Sequence, residues 1–258
     1  MNGQNREDIK MISLIYETKD FIAVNKPAGV LAHPIKDSKE ETLVDWALKR
    51  YPEIKNVGDD PEIRPGIVHR LDRDTSGVIL ICRNQRFFEY LKNLFKTHQV
   101  KKTYLALAWG ELEPKSGEIN APIGIKSGTI KRTVWQKRAK DLKEAITEYK
   151  VLNYYQHKSD LNQHESATFS LLKVTPKTGR THQIRIHLAS INHPVAGDKL
   201  YGSKKIKLPF GLNRQFLHAY SLEFNSADGS RIKIEAELPE ELKGFLQILA
   251  SEGRTKFG

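Results

Sequence analysis

A chain of 258 residues with 39% hydrophobic and 28% charged residues has the composition of an ordinary globular protein and can bury a sizeable core. Lys and Arg number 42 against 31 Asp and Glu, a net charge of +11 that favours a polyanionic partner; with no basic amphipathic helix or lipidation motif, that partner is expected to be nucleic acid rather than a membrane. The single Cys82 excludes an internal disulfide or a cysteine-rich zinc site, and without a bilayer-length apolar run or a signal-peptide pattern the expected location is the cytoplasm.

In chain order, residues 1–11 read as a polar, frayed tail and 252–258 as a second tail, with one domain expected over 12–251. Strands are expected at Ser13 to Tyr16 and Phe21 to Asn25, the second ended by Lys26-Pro27-Ala28-Gly29. Glu41 to Tyr51 has the spacing of an amphipathic helix, with Leu43, Ala47, Leu48 and Tyr51 on one face and Pro52 as the stop. A polar loop over Asn56 to Pro65 leads to two apolar, β-branched runs, Gly66-Ile67-Val68 and Val78 to Cys82. Between those runs lies His69-Arg70-Leu71-Asp72-Arg73-Asp74-Thr75-Ser76-Gly77, with an imidazole, two guanidiniums and two carboxylates. Two readings are open: a charged turn in which Asp72 and Asp74 bond backbone amides, or a site carried on a loop between rigid strands.

Gln85 to His98 repeats Phe87, Phe88, Leu91, Leu94 and Phe95 at helical spacing. Lys101 to Trp109 reads as a strand that places Tyr104, Ala106 and Ala108 on one face, where the small alanines leave room for a flat ligand against the ring. Lys126 to Lys143 holds seven basic residues, Arg138 included, around Trp135; it fits either a solvated surface or a backbone-tracking, base-stacking surface for RNA. A strand pair is expected at Ala145 to Tyr155 and Thr168 to Val174, joined by a polar loop over Gln156 to Ser166. In Thr178 to Ala189, Thr181 is expected to cap a helix in which His182, Arg185 and Ala189 share a face. His182 and His187 are five apart, the wrong spacing for a metal pair on one face. Arg185 in the first turn opposes the helix dipole, which points to an anionic group close by. Leu217 to Phe224 and Arg231 to Ala236 form a hairpin, and Pro239 opens a terminal helix through Leu249.

Strands that pair through turns, without regular alternation with helices, define an α+β chain on a mixed, largely antiparallel sheet with flanking helices. The chain lacks a Walker loop, a G-x-G-x-x-G fingerprint, a zinc-deaminase signature and a G-x-S-x-G elbow, which leaves carboxylate chemistry without a cofactor. A carboxylate can act at an anomeric carbon, an arginine can keep it ionised, and a tyrosine can stack on a base and exchange a proton. Asp72, Arg185 and Tyr104 supply these three types.

The His69 to Gly77 block, Lys102-Thr103-Tyr104-Leu105-Ala106, the Gly179 to His187 segment and Leu217-His218-Ala219 together resemble the RluA-type RNA pseudouridine synthases. Asn25-Lys26-Pro27-Ala28-Gly29 and Gly197-Asp198-Lys199-Leu200-Tyr201-Gly202 resemble that family as well. The resemblance implies a central catalytic cleft, no metal or cofactor, and Asp72 as the aspartate that begins isomerisation of uridine to pseudouridine. It further implies that Tyr104 stacks on the flipped uracil, that Arg185 pairs with Asp72, and that Arg70 enters the RNA where the base leaves the stack. His69, Arg180 and His182 are then expected at the RNA, with Asp74 structural. The small RNA-binding module that precedes the catalytic domain in many relatives is not expected here, so RNA selectivity falls to the domain itself. The expected substrate is ribosomal RNA ahead of tRNA, and the expected state is a monomer. A non-catalytic RNA-binding protein and a carboxylate glycosidase are the competing readings. Binding alone has no need of Asp72, and a glycosidase has no use for the net positive charge.

Overall fold

A computed structural model describes the chain apart from residues 1–2, 36–37, 127, 130, 136, 138, 159–165, 203–211 and 253–258. In chain order its elements are α1 (Gly3–Lys10), β1 (Ser13–Glu17), β2 (Phe21–Lys26), α2 (Leu43–Arg50), β3 (Ser76–Cys82), α3 (Gln85–Lys96), β4 (Lys101–Trp109) and β5 (Ser116–Asn120). They continue as β6 (Ile123–Lys126), β7 (Arg132–Thr133), β8 (Ala139–Lys143), β9 (Ile146–Lys158), β10 (Ser166–Pro176), α4 (Gln183–Ser190), β11 (Leu217–Asn225), β12 (Arg231–Glu235) and α5 (Glu240–Glu252). The paired strands are antiparallel, and the α+β class read from the sequence is the class observed.

Backbone packing divides the chain into two compact units, Met1–Lys102 with Ala219–Glu237, and Thr103–His218 with Leu238–Gly258. Each unit combines stretches far apart in sequence, so no shift in composition along the chain marks a boundary.

In the first unit β1 pairs β2 and β2 pairs β3, with Asn25 opposite Val78 and Lys26 opposite Gly77. Gly77 has φ +119, and a Cβ there would lie 2.2 Å from the Ala219 carbonyl oxygen, so only glycine fits where β3 begins. The α2 helix starts at a reciprocal box: the Thr42 hydroxyl accepts the Asp45 amide, and the Asp45 carboxylate accepts the Thr42 amide at 2.8 Å. Asn84 caps α3 by accepting the Phe87 amide at 2.9 Å. The apolar stripe of α3 then packs Phe87, Phe88, Leu91 and Leu94 on Phe21, Val78, Leu80 and Phe224, with Phe21 and Phe87 stacked at 4.9 Å.

Two expectations change in this unit. The polar N-terminal stretch is helical in Gly3–Lys10, because the Asn5 amide clasps the Glu41 backbone at both its N–H and C=O and Ile9 is buried. Gly66 to Val68 is a turn, not a strand. Gly66 takes φ +71 and its carbonyl accepts the Cys82 amide, while the Ile67 amide turns back to Arg64.

In the second unit the strand order is β4-β10-β9-β5, and β7-β6-β8 make a separate three-stranded sheet. Tyr104 lies opposite Val174 and Trp109 opposite Phe169. The face of β4 that carries Tyr104, Ala106 and Ala108 is not open. Both alanines are fully buried in a cluster with Ile184 and Leu188 of α4, Val195 and Leu172, because their small side chains let the helix approach the sheet. Leu107, Phe169, Phe216, Leu242, Phe245 and Leu249 form a second core under α5. Among the described residues, no helix is long and apolar enough to cross a membrane.

Candidate active site

In the first unit Asp72 sits in the turn before β3, half-buried, and its carbonyl accepts the Thr75 amide at 3.1 Å. The turn is braced from β2. Lys26 is fully buried, yet its ammonium donates to the carbonyls of Pro27, Val30 and Arg73 at 2.8, 2.8 and 2.9 Å. Three carbonyl acceptors are what let an ammonium lie inside the protein. The Arg73 carbonyl also accepts the Gly29 amide, and the Arg73 guanidinium bonds the Gly29 carbonyl and Glu40. The residue beside Asp72 is therefore tied at both its backbone and its side chain to the Lys26–Gly29 turn. Arg70 is exposed.

His69 has a structural task within this unit. Its Nε2 accepts the Leu80 amide at 2.9 Å and its ring stacks on Phe95 at 4.8 Å. Burial pushes the imidazole down to about 3, with Lys102 adding to the shift. His187 in the second unit is also held below the usual histidine range by burial, which outweighs the bond to the Ala121 carbonyl. Both rings fold neutral, while in the unfolded chain they take up protons below about pH 6.5. The unfolded state then binds more protons, so stability is complete above that pH and is lost as pH falls below it, for His69 down to about 3. We expect denaturant melts to show a loss of about 1–2 kcal/mol between about pH 7.5 and pH 5. His69→Gln should make that loss smaller; an unchanged slope would refute the neutral ring at His69.

The second unit carries the other candidates. Tyr104 is half-buried on β4 and packs against the cluster that holds Ile184 and Leu188. The α4 helix begins one residue later than the Thr181 cap implies. His182 takes the cap position at φ 58 without a side-chain cap bond, while the Gln183 side chain accepts the Thr178 hydroxyl and the Arg180 amide. Arg185 is buried in the first turn, and its anionic neighbour in this unit is Asp198: Nε and Nη2 donate to the two carboxylate oxygens at 2.7 and 2.9 Å. Burial alone would push the Asp198 carboxyl up, but the Arg185 guanidinium and the amides of Tyr201 and Leu200 hold it below the usual carboxylate range. His182 Nδ1 lies 3.0 Å from the Tyr201 hydroxyl, and the Arg185 guanidinium lies 5.2 Å from the Tyr201 ring centre. Arg180 is tethered through Nε to the Glu144 carbonyl.

Sequence reasoning placed His182 and Arg185 on one face; in the structure His182 is the cap residue and Arg185 lies in the first turn, and both meet Tyr201. It gave no task to Lys26, Asp198 or Tyr201. A lysine that ends an otherwise apolar strand was the available signal for the first.

Within the basic segment β6 ends at Lys126, and Arg132–Thr133 and Ala139–Lys143 are β7 and β8, strands for which the sequence reading made no assignment. Lys126 and Lys140 lie on β6 and β8 next to Lys131, Lys137 and Lys143, all exposed; Arg138 lies outside the described residues. Trp135 is 73% exposed, its amide bonded to the Thr133 hydroxyl.

Comparison with solved structures places this fold among pseudouridylate synthase domains. The human RNA pseudouridylate synthase domain containing 1 matches with a TM-score of 0.72 and 26% identity, over 96% of this chain and 89% of its own. The human domain containing 4 matches at 0.71 and 22% over 98% of each chain, a likeness of fold. An RNA pseudouridine synthase of Mycobacterium bovis, itself named as uncharacterized, is 38% identical over 95% of this chain and 75% of its own. The ribosomal large subunit pseudouridine synthase D of Borreliella burgdorferi is 37% identical over 91% and 68%. A family model for RNA pseudouridylate synthase matches residues 20–190. The chain belongs to the RNA pseudouridylate synthase family, and its activity is that of an RNA pseudouridine synthase, an isomerase acting on RNA.

Proposed function

We propose that this synthase isomerises uridines of structured ribosomal RNA in the cytoplasm, as a monomer, with Asp72 as the catalytic carboxylate. The single observation that carries the reading is the Asp72 turn, where a half-buried aspartate precedes Arg73, whose carbonyl accepts the Lys26 ammonium and the Gly29 amide, within a chain of this family. Asp72 starts the release of uracil from its ribose, Arg185 steadies the carboxylate, and Tyr104 stacks on the extruded base and takes the proton from the new carbon link. Arg70, exposed beside Asp72, fills the space the base leaves. Asp74 keeps the turn, and Arg180 and His182 approach phosphates near the start of α4, with His69 at the edge of the RNA. Ribosomal RNA is preferred over tRNA because relatives from Borreliella burgdorferi and Nitrosomonas europaea carry ribosomal large subunit names.

Mapping pseudouridines in total RNA with and without the gene tests the assignment: loss at ribosomal positions is the expected result, and loss confined to tRNA would overturn the choice of substrate. The basic sheet is read as the surface that tracks the RNA backbone. Trp135→Ala is expected to weaken RNA binding about fivefold, in line with roughly 1 kcal/mol for one stacked base, with the turnover of bound RNA unchanged. Filter binding at fixed salt measures it.

A further inference from the structure

Arg185 is held by more groups than a surface cation needs, and the arrangement has the form of a holder. Its side chain is 8% exposed and that of Asp198 is 0% exposed. Two of its three nitrogens lie along one carboxylate, which fixes the plane of the guanidinium as well as its position. The carboxylate in turn has little freedom to rotate: Asp198 Oδ1 also accepts the amides of Leu200 and Tyr201 at 2.8 and 3.0 Å. Its backbone is pinned by the Asp198 amide on the Val195 carbonyl and the Gly202 amide on the Asp198 carbonyl. Gly197 lets the loop sit there at all, since its φ is +76 and a Cβ would fall 2.0 Å from the Arg214 carbonyl oxygen. The ring of Tyr201 covers the guanidinium face, and its hydroxyl meets His182 Nδ1 at 3.0 Å and the Arg132 amide at 3.4 Å.

Stability does not account for this design. A buried ion pair recovers at best about its own desolvation, and an apolar pair of the same volume serves a core equally well. What an apolar pair cannot do is aim a charge. We propose that Asp198 and Tyr201 are positioning residues: together they set the pose of Arg185, and through it the rate of pseudouridine formation. This rests on the reading that Arg185 acts in the reaction.

The test uses the full chain and RNA with ring-tritiated uridine from cells lacking the gene, with tritium release as the readout beside RNA affinity and melting midpoint. Asp198→Asn keeps the shape but removes the charge; it should lower kcat at least about tenfold while KM and RNA affinity stay within about twofold. Tyr201→Leu should lower kcat about threefold or more with the same split. In an Arg185→Lys background, adding Asp198→Asn should change kcat by less than about twofold, since the group it aims is already altered. Equal losses in both backgrounds would make Asp198 merely structural and overturn the inference, as would a folded Asp198→Asn with wild-type kcat. If Asp198→Asn does not fold, Tyr201→Leu decides, and an unchanged kcat there overturns the proposal. Full activity of Arg185→Lys would remove the role of the arginine itself, and that failure is distinct from a null result at Asp198 alone.

Discussion

Asp72→Asn should abolish pseudouridine formation, by roughly a thousandfold or more, and leave RNA affinity within about twofold. The substitution is isosteric, and the turn it sits in is held through backbone groups: the Asp72 carbonyl takes the Thr75 amide, and the Arg73 carbonyl takes Lys26 and Gly29. Asparagine keeps those bonds but can neither attack a sugar nor remove a proton. Tritium release and filter binding on the same RNA separate the two effects. A variant with wild-type turnover would refute the assignment of Asp72, whatever happened at Arg185.

Lys26→Met is expected to cost about 3–5 kcal/mol, read as a shift of the urea midpoint. Methionine fills nearly the same volume, so packing changes little. The cost comes from three carbonyls, those of Pro27, Val30 and Arg73, that lose a charged donor whose own side chain is fully buried. Because one of the three belongs to the residue after Asp72, the variant should also lose turnover beyond what its stability explains when assayed well below its melting temperature. A midpoint shift under about 1 kcal/mol would show that the ammonium contributes little net stability.

The regular elements were legible because their signals are local. Phe87 to Phe95 could be read as a helix from spacing alone, and Asn84 then caps it with its own side chain. The hairpin of β11 and β12 followed from Ala227-Asp228-Gly229 between two apolar runs. What failed depended on partners far away in sequence. Gly66-Ile67-Val68 has strand composition, but it turns because Gly66 lies where Cys82 and Val57 receive it. The N-terminal ten residues read as polar and loose, and the Asn5 clasp on Glu41 could not be seen without the fold. Ala106 and Ala108 looked like vacancy on one face of a strand and are in fact the contact surface of α4. For the candidate site, residue types were readable and partnerships were not: the oddity of Arg185 in a first turn pointed to an anion, and the carboxylate that meets it in its own unit lies 13 residues on, in a loop shaped by Gly197.

Cys82, the single thiol of the chain, is fully buried at the end of β3, and burial pushes its ionisation well up. With the thiol buried and held protonated, labelling is expected to require the core of the first unit to open, so the labelling rate becomes a clock for that opening. The same silence leaves the surface clear for a cysteine introduced near Trp135. One dye could then report RNA contact, while Cys82 records, in the same molecule, whether the fold beneath the Asp72 turn has stayed closed.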